Sequence, residues 1–390
     1  MNPKRILLKN AQIIGTARSI PQGWILTEGS IISEVGLGDP LPSIEERAEE
    51  MVDCVGRTIL PGLIDLHTHG AMGHEFMEPD VDTWQELSHY YASTGTTGLL
   101  ATTWTASDSD LEKVIETAKK VMGHEDGAKI LGVHLEGPYI NRARSGAQNT
   151  MLIRTAREGD ALKFIESGVV KLIAVAPEIE DNQALIKACV ERGITVSAGH
   201  TDATYEEMVA AAQAGVTQVT HCFNAMRPLN HRQPGTVGAA LTLGEIRCEL
   251  IADTIHVHPA VIKLTAKAKG LAGVILITDS IQPAGLPDGE SMVEGQKIIL
   301  KNGEARLMDG TLAGSTLTLV RGLQNFVKAS QVPVDDAWIC ATLNPAKAIH
   351  VDEHKGSIAP GKDADLTLVD RNFGVKMTMV EGRIVFRGQA

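Results

Sequence analysis

Short apolar runs recur through the middle of the chain, and most are followed by a stretch with helical periodicity. The runs are Leu60–Leu66, Gly98–Thr103, Ile130–Leu135, Lys171–Ala176, Ile194–Ala198, Gln218–Thr220, Cys248–Ala252 and Val274–Thr278. These are strand candidates that alternate with helix-like segments. The intervening segments DTWQELSHYYAST, SDLEKVIETAKKVM, NQALIKACVERG, TYEEMVAAAQAG and PAVIKLTAKAKG read as helices, several of them running into a glycine suited to a C-cap. Eight such units, over somewhat more than the roughly 250 residues usual for the fold, predict an α/β chain with a (β/α)8 TIM-type barrel. A doubly wound sheet would carry a Gly-rich phosphate loop after its first strand, and the sequence has none.

The two ends of the chain follow a different pattern. From Arg5 to about Val55 short β-like runs surround a charged helical stretch, SIEERAEEM, and DADLTLVD and KMTMVEGRIVFRG close the chain in the same β-like manner. A stable sheet needs several strands, so the ends are expected to meet in a small β-sandwich domain of residues 1–57 and 355–390, beside a barrel of residues 58–354. After the eighth strand, PAGLPDGESMVEGQKIILKNGEARLMDGTLAGS predicts a hairpin inserted before the last helical stretch, STLTLVRGLQNFVKAS. An insert on that side of a barrel points to function, because barrel active sites lie at the C-terminal strand ends.

Composition narrows the picture by exclusion. Of 390 residues 43% are hydrophobic and 22% charged, an ordinary globular balance, and a net charge of −12 argues against nucleic acid as the main partner. Cys54, Cys189, Cys222, Cys248 and Cys340 are scattered without a C-x-x-C pair, which fits a reducing compartment. Cys222 reads as a small buried residue that strand alternation turns away from His221. The N-terminal stretch lacks a signal-peptide pattern, and no segment reaches the roughly 18 apolar residues of a membrane span, so a cytoplasmic protein without a membrane partner is expected.

The side chains at the strand ends carry the chemistry. His67-x-His69 closes the first run, and side chains two apart in a strand leave on the same face. Glu136 ends the third run, His200 the fifth, His221 the sixth and Asp279 the eighth. An isolated H-x-H is common in loops, but in a barrel all these groups would converge on one mouth, where they could bind a metal or move protons.

The motifs PGLIDLHTHG, HLEGPYIN, AGHTDA, THCFNAM, HRQPG, ADTIHVHP, ITDSIQPAG, LAGSTLTL and APGKDADLTLVD resemble the amidohydrolase superfamily and, within it, the N-acetylglucosamine-6-phosphate deacetylases, over essentially the whole chain. The first and last are shared widely in the superfamily; HLEGP, H-x-FNAM and HRxPG are more specific. The resemblance implies that Glu136, His200 and His221 bind a divalent metal, Zn or Fe. It implies that His67 and His69 belong to a second site bridged by Glu136, with Asp279 as a further ligand, giving one or two ions per chain. Asp279 is implied as general base and acid, Arg232 and His256 as phosphate ligands, and Ala147, Gln148, Asn224, Ala225, Leu312, Ala313 and Gly314 as sugar contacts. The loop bearing Arg232 reaches a neighbouring subunit in such enzymes, so a homodimer acting on a phosphorylated amino sugar is expected.

The implied reaction is hydrolysis of N-acetylglucosamine 6-phosphate to glucosamine 6-phosphate and acetate. The galactosamine epimer or another N-acyl amide is the alternative, and a non-catalytic barrel would be expected to have lost ligands that are intact here. The chain departs from the family pattern at Gln148, where many relatives have His, and at Thr254, where Gly is usual. Neither is expected to touch the metal set; both bear on the sugar.

Overall fold

The computed structural model describes residues 4–389 apart from 158 and 294. Eight parallel strands, Leu63–Thr68, Thr96–Thr103, Lys129–Glu136, Val170–Val175, Thr195–Ala198, Val216–Val219, Arg247–Ile251 and Val274–Ile277, pair in chain order. The first and last meet at their C-terminal ends through a Thr68–Ser280 bridge, with the Asp279 N–H donating to the His67 carbonyl at 2.8 Å. The HTH and TDS segments are therefore neighbours where the barrel closes.

Helices cover the outside of this ring. The helix Asp108–Val121 shows how the sequence writes them: Leu111, Val114, Ile115, Ala118 and Val121 are buried on one stripe. Its N-cap Ser107 accepts from the Asp110 N–H, and Lys119 and Lys120 complement the last turn. Thr204 and Glu207 form a reciprocal capping box at the start of Tyr205–Gln213.

A second sheet draws on both chain ends. Its order is Arg383–Arg387, Val375–Val380, Leu366–Val369, Thr58–Pro61, Arg5–Ile13, Ile20–Glu28 and Ile31–Leu37, with Glu50–Asp53 also on Arg5–Ile13. Ile6, Leu8, Ile13, Ile25, Ile59, Leu366, Leu368, Met377 and Met379 share its apolar core. The architecture is thus the TIM-type barrel with a β-sandwich part. No helix among the described residues is long and apolar enough to cross a membrane.

Local readings changed in three places. The run Leu60–Leu66 is divided, Thr58–Pro61 joining the small sheet and Leu63–Thr68 the barrel. Pro61 has no N–H for a continuing ladder, and Gly62 passes so close to Thr97 that a Cβ would lie 2.0 Å from its Oγ1. The SIEERAEEM stretch is helical only over Pro42–Glu45, because Glu50–Asp53 pairs in parallel with the first strand of the chain. The insert has three strands, Gly289–Val293, Gln296–Lys301 and Glu304–Leu307, where a hairpin was expected.

Candidate active site

Each of the expected metal and acid–base side chains reaches the barrel mouth and is buried there. Glu136 Oε1 lies 3.1 Å from His200 Nε2 and 3.0 Å from His221 Nε2, and the two imidazole nitrogens are 3.1 Å apart. In a second triad His67 Nε2, His69 Nε2 and Asp279 Oδ1 are mutually 3.4 Å apart. Glu136 joins the two, its Oε2 standing 3.2 Å from His69 Nε2. His200, His221 and Asp279 adopt φ of 47°, 30° and 50°. Non-glycine residues rarely adopt such left-handed backbone, and it concentrates at functional sites. It turns these three side chains inward just past their strands.

The charges balance inside the cluster. Burial alone would raise the Glu136 carboxyl, but His67, His200 and His221 hold it well below its ordinary value. Burial opposes and His67 and His69 outweigh it at Asp279, which is also lowered. Burial would likewise depress His67 and His69, yet Glu136 and Asp279 hold both above the usual imidazole value. Deeper in the barrel, burial pushes Asp65 up to about 7 although Thr278 donates to it.

Both triads fit a metal. Ligands held about 2.0–2.2 Å from an ion in tetrahedral array stand roughly 3.3–3.6 Å apart, and the narrower angles of five- or six-coordinate sets bring them closer. The observed spacings of 3.0–3.4 Å match that requirement. Each set offers three buried donor atoms. The His200 Nδ1 is 2.9 Å from the Arg144 carbonyl, so that ring keeps its proton outward and its Nε2 lone pair inward. Imidazole and carboxylate without thiolate suit a borderline divalent ion.

A cavity of ≈ 220 Å³ opens above this cluster. Glu136, His200, His221 and Asp279 line its floor, and Ala147, Gln148, Asn224, Ala225, His256, Leu312 and Gly314 its walls. His256 is fixed by Asp253, whose Oδ2 is 2.6 Å from its Nδ1. Trp104, Gly146 and Thr311 also line the cavity and escaped the sequence reading. Trp104, stacked on His69 at 3.9 Å, directly follows the second barrel strand, so the strand-end rule that selected the histidines would have found it.

Some of the expected metal, phosphate and sugar residues do not line the cavity. His67 and His69 are below the cavity, and Ala313 packs into a core cluster with Trp104 and Ile281. Arg232 is exposed and borders a separate recess with Tyr205 and Arg227. Gln148 does reach the metal set, against expectation: its Nε2 donates to Glu136 Oε2 at 2.6 Å. The Thr105 N–H donates to Gln148 Oε1 at 2.7 Å, which settles the amide's orientation.

Thr254 stands exposed at φ 70°. A β-branched residue there is strained by about 1–2 kcal/mol, and glycine would be free of that strain. Thr254→Gly is therefore expected to stabilise the chain by up to about 1 kcal/mol after glycine's entropic cost, read as a higher denaturation midpoint. A lower midpoint would mean that contacts of the threonine outweigh its strain.

Residues 58–385 match the amidohydrolase family. The chain belongs to that family. This amidohydrolase is 38% identical over 332 residues, 84% of its own length and 83% of the relative's, to the N-acetylglucosamine-6-phosphate deacetylase of Vibrio furnissii. It is 34% identical over 372 residues, 93% of its length and 96% of the relative's, to the N-acetylgalactosamine-6-phosphate deacetylase of Escherichia coli O157:H7. Among solved structures it is similar to the N-acetyl-D-glucosamine-6-phosphate deacetylase of Mycobacterium smegmatis in complex with N-acetyl-D-glucosamine-6-phosphate. That likeness has TM-score 0.90 and 30% identity, covering 98% of this chain and 99% of the other.

Proposed function

We propose that this amidohydrolase hydrolyses N-acetylglucosamine 6-phosphate to glucosamine 6-phosphate and acetate. The observation that carries the reading is the pair of donor triads sharing Glu136 beneath a cavity whose floor includes Asp279. The relatives named for this reaction support the substrate. Most of the similar curated proteins bear the glucosamine name, which favours that sugar over its epimer.

Glu136, His200 and His221 would hold one divalent ion, zinc or iron, and His67, His69 and Asp279 with Glu136 a second. Such an ion polarises the amide carbonyl and acidifies water to a pKa of about 7. Asp279, on the cavity floor, takes the proton of the attacking water. It returns that proton to the amine nitrogen as the C–N bond breaks, so that one water is consumed and acetate and amine leave. Gln148, clamped between Thr105 and Glu136, fixes the rotation of the bridging carboxylate.

His256, with Nδ1 committed to Asp253, offers its other ring nitrogen to the phosphate. Arg232 does not line the cavity of its own chain and borders a separate exposed recess, which supports a homodimer in which each copy completes the phosphate end of the other's site. In this reading residues 1–57 and 355–390, joined by the strand Thr58–Pro61, form a supporting domain and the rest of 58–354 the catalytic one, in a cytoplasmic enzyme.

Purified enzyme given both N-acetylhexosamine 6-phosphates should release acetate faster from the glucosamine compound. Release only from the epimer would overturn the sugar assignment, and release from neither the reading itself. Arg232→Ala is expected to raise KM for the phosphorylated sugar by about 10- to 100-fold, the worth of one charge-assisted hydrogen bond. The unphosphorylated analogue should be affected little. Equal effects on both would remove Arg232 from phosphate binding.

A further inference from the structure

Glu249 lies in the seventh barrel strand, fully buried. Its Oε1 accepts from Gln218 Nε2 at 2.7 Å, on the neighbouring strand, and Gln218 is fully buried as well. Its Oε2 has no hydrogen-bond partner and faces His67 Nδ1 at 3.5 Å. That nitrogen is also buried and unpartnered. The separation is at the outer edge of a hydrogen bond. Among the described residues no Lys or Arg forms an ion pair with Glu249; its ionic neighbour is His67.

A carboxylate buried without a compensating partner is costly, and replacing such groups by apolar ones is often neutral or stabilising. Core packing therefore gives no reason for this glutamate. A reason appears at the other end of the imidazole. His67 Nε2 belongs to the triad with His69 and Asp279, so its lone pair must face inward and its proton must reside on Nδ1. An acceptor beyond Nδ1 selects that tautomer and fixes the ring, as carboxylates behind metal-bound imidazoles do. His134 adds a steric wall, its ring edge-on to His67 at 4.7 Å. By contrast, His200 has a backbone carbonyl for the same purpose.

We propose that Glu249 is a positioning residue for the second metal site: it holds the Nδ1 proton of His67 and so presents Nε2 to an ion between His67, His69 and Asp279. Gln218 aims the carboxylate by occupying its other oxygen. The site nearer His200 and His221 does not depend on it. This inference rests on the reading of a two-ion centre given above.

The test is metal content by equilibrium dialysis of chelator-stripped protein against Zn²⁺, with elemental analysis, on wild type, Glu249→Leu, Glu249→Gln and His67→Ala. Wild type is expected to bind two ions. Glu249→Leu should bind the first normally and the second about 10- to 100-fold more weakly. Glu249→Gln, whose amide oxygen still accepts from Nδ1, should fall between, and this partial rescue also serves if the leucine variant does not fold. Melting of the metal-free proteins reads packing separately: Glu249→Leu leaves the buried Gln218 amide without its acceptor and should melt somewhat lower than wild type, whereas normal first-ion and weakened second-ion affinity reads positioning. Second-ion affinity unchanged in Glu249→Leu, or in Glu249→Gln should that alone fold, overturns the role of Glu249 and leaves the two-ion centre standing. Wild type and His67→Ala binding the same single ion overturns the two-ion centre, and the role of Glu249 with it.

Discussion

Asp279→Asn is expected to lower kcat for acetate release by about 10²–10⁴-fold, the usual worth of a general acid–base group. Substrate KM and the ion at Glu136, His200 and His221 should stay near wild type. The substitution is well suited to the site. Asn tolerates left-handed backbone such as the φ of 50° found here. The backbone around it is tied on both sides, the Asp279 N–H to the His67 carbonyl at 2.8 Å and the Asp279 carbonyl to the Ser315 N–H at 2.7 Å. What changes is the ability to hold a proton during turnover. Steady-state kinetics with elemental analysis of the same sample decides the matter. Near-normal turnover would remove Asp279 from proton transfer, and parallel loss of the ion at Glu136, His200 and His221 would reassign the effect to binding.

Stripping the metal with a chelator is expected to abolish activity and lower the melting temperature, with both restored on adding Zn²⁺ or Fe²⁺. A ligand present at about 1,000 times its dissociation constant stabilises a fold by roughly 4 kcal/mol, so the shift should be large. The metal-free protein should also acquire a distinctive pH response. Glu136 and Asp279 are lowered, so the stability they contribute is present above the unfolded carboxylate value and lost as pH falls through their folded values. His67 and His69 are raised, so theirs is complete below the unfolded imidazole value near 6.5 and lost as pH rises through the folded values. The stripped protein should therefore lose stability as pH rises above about 7, whereas metal binding, which needs neutral imidazole, strengthens in that direction. Calorimetry across pH with and without metal reads both slopes. Parallel slopes, or activity surviving complete removal of metal, would count against a metal centre at these residues.

The eight apolar runs, the placement of helices between them and the chemistry at the strand ends were legible because each is local. A doubly buried strand must be apolar along its length, and a barrel delivers strand ends to one mouth whatever its loops do. Glu136, His200, His221 and Asp279 could thus be read from position alone, and His67 and His69 from their period of two. Departures arose where a distant partner decides. The SIEERAEEM stretch is charged enough for a helix, but its last two residues belong to Glu50–Asp53, which pairs with Arg5–Ile13 because the sheet offers it a ladder. Gln148, expected as a sugar contact, lines the cavity and is also held by Thr105 and Glu136, 43 and 12 residues away. Arg232 carries the charge a phosphate needs and lies outside the cavity of its own chain. The division is physical. Sequence by itself determined which residue types each strand end presents, since pleat and helix periodicity act over a few residues. Only the tertiary structure decided which donor atoms come within bonding distance, which carboxylate stands behind His67, and which backbone must turn left-handed to bring three side chains together.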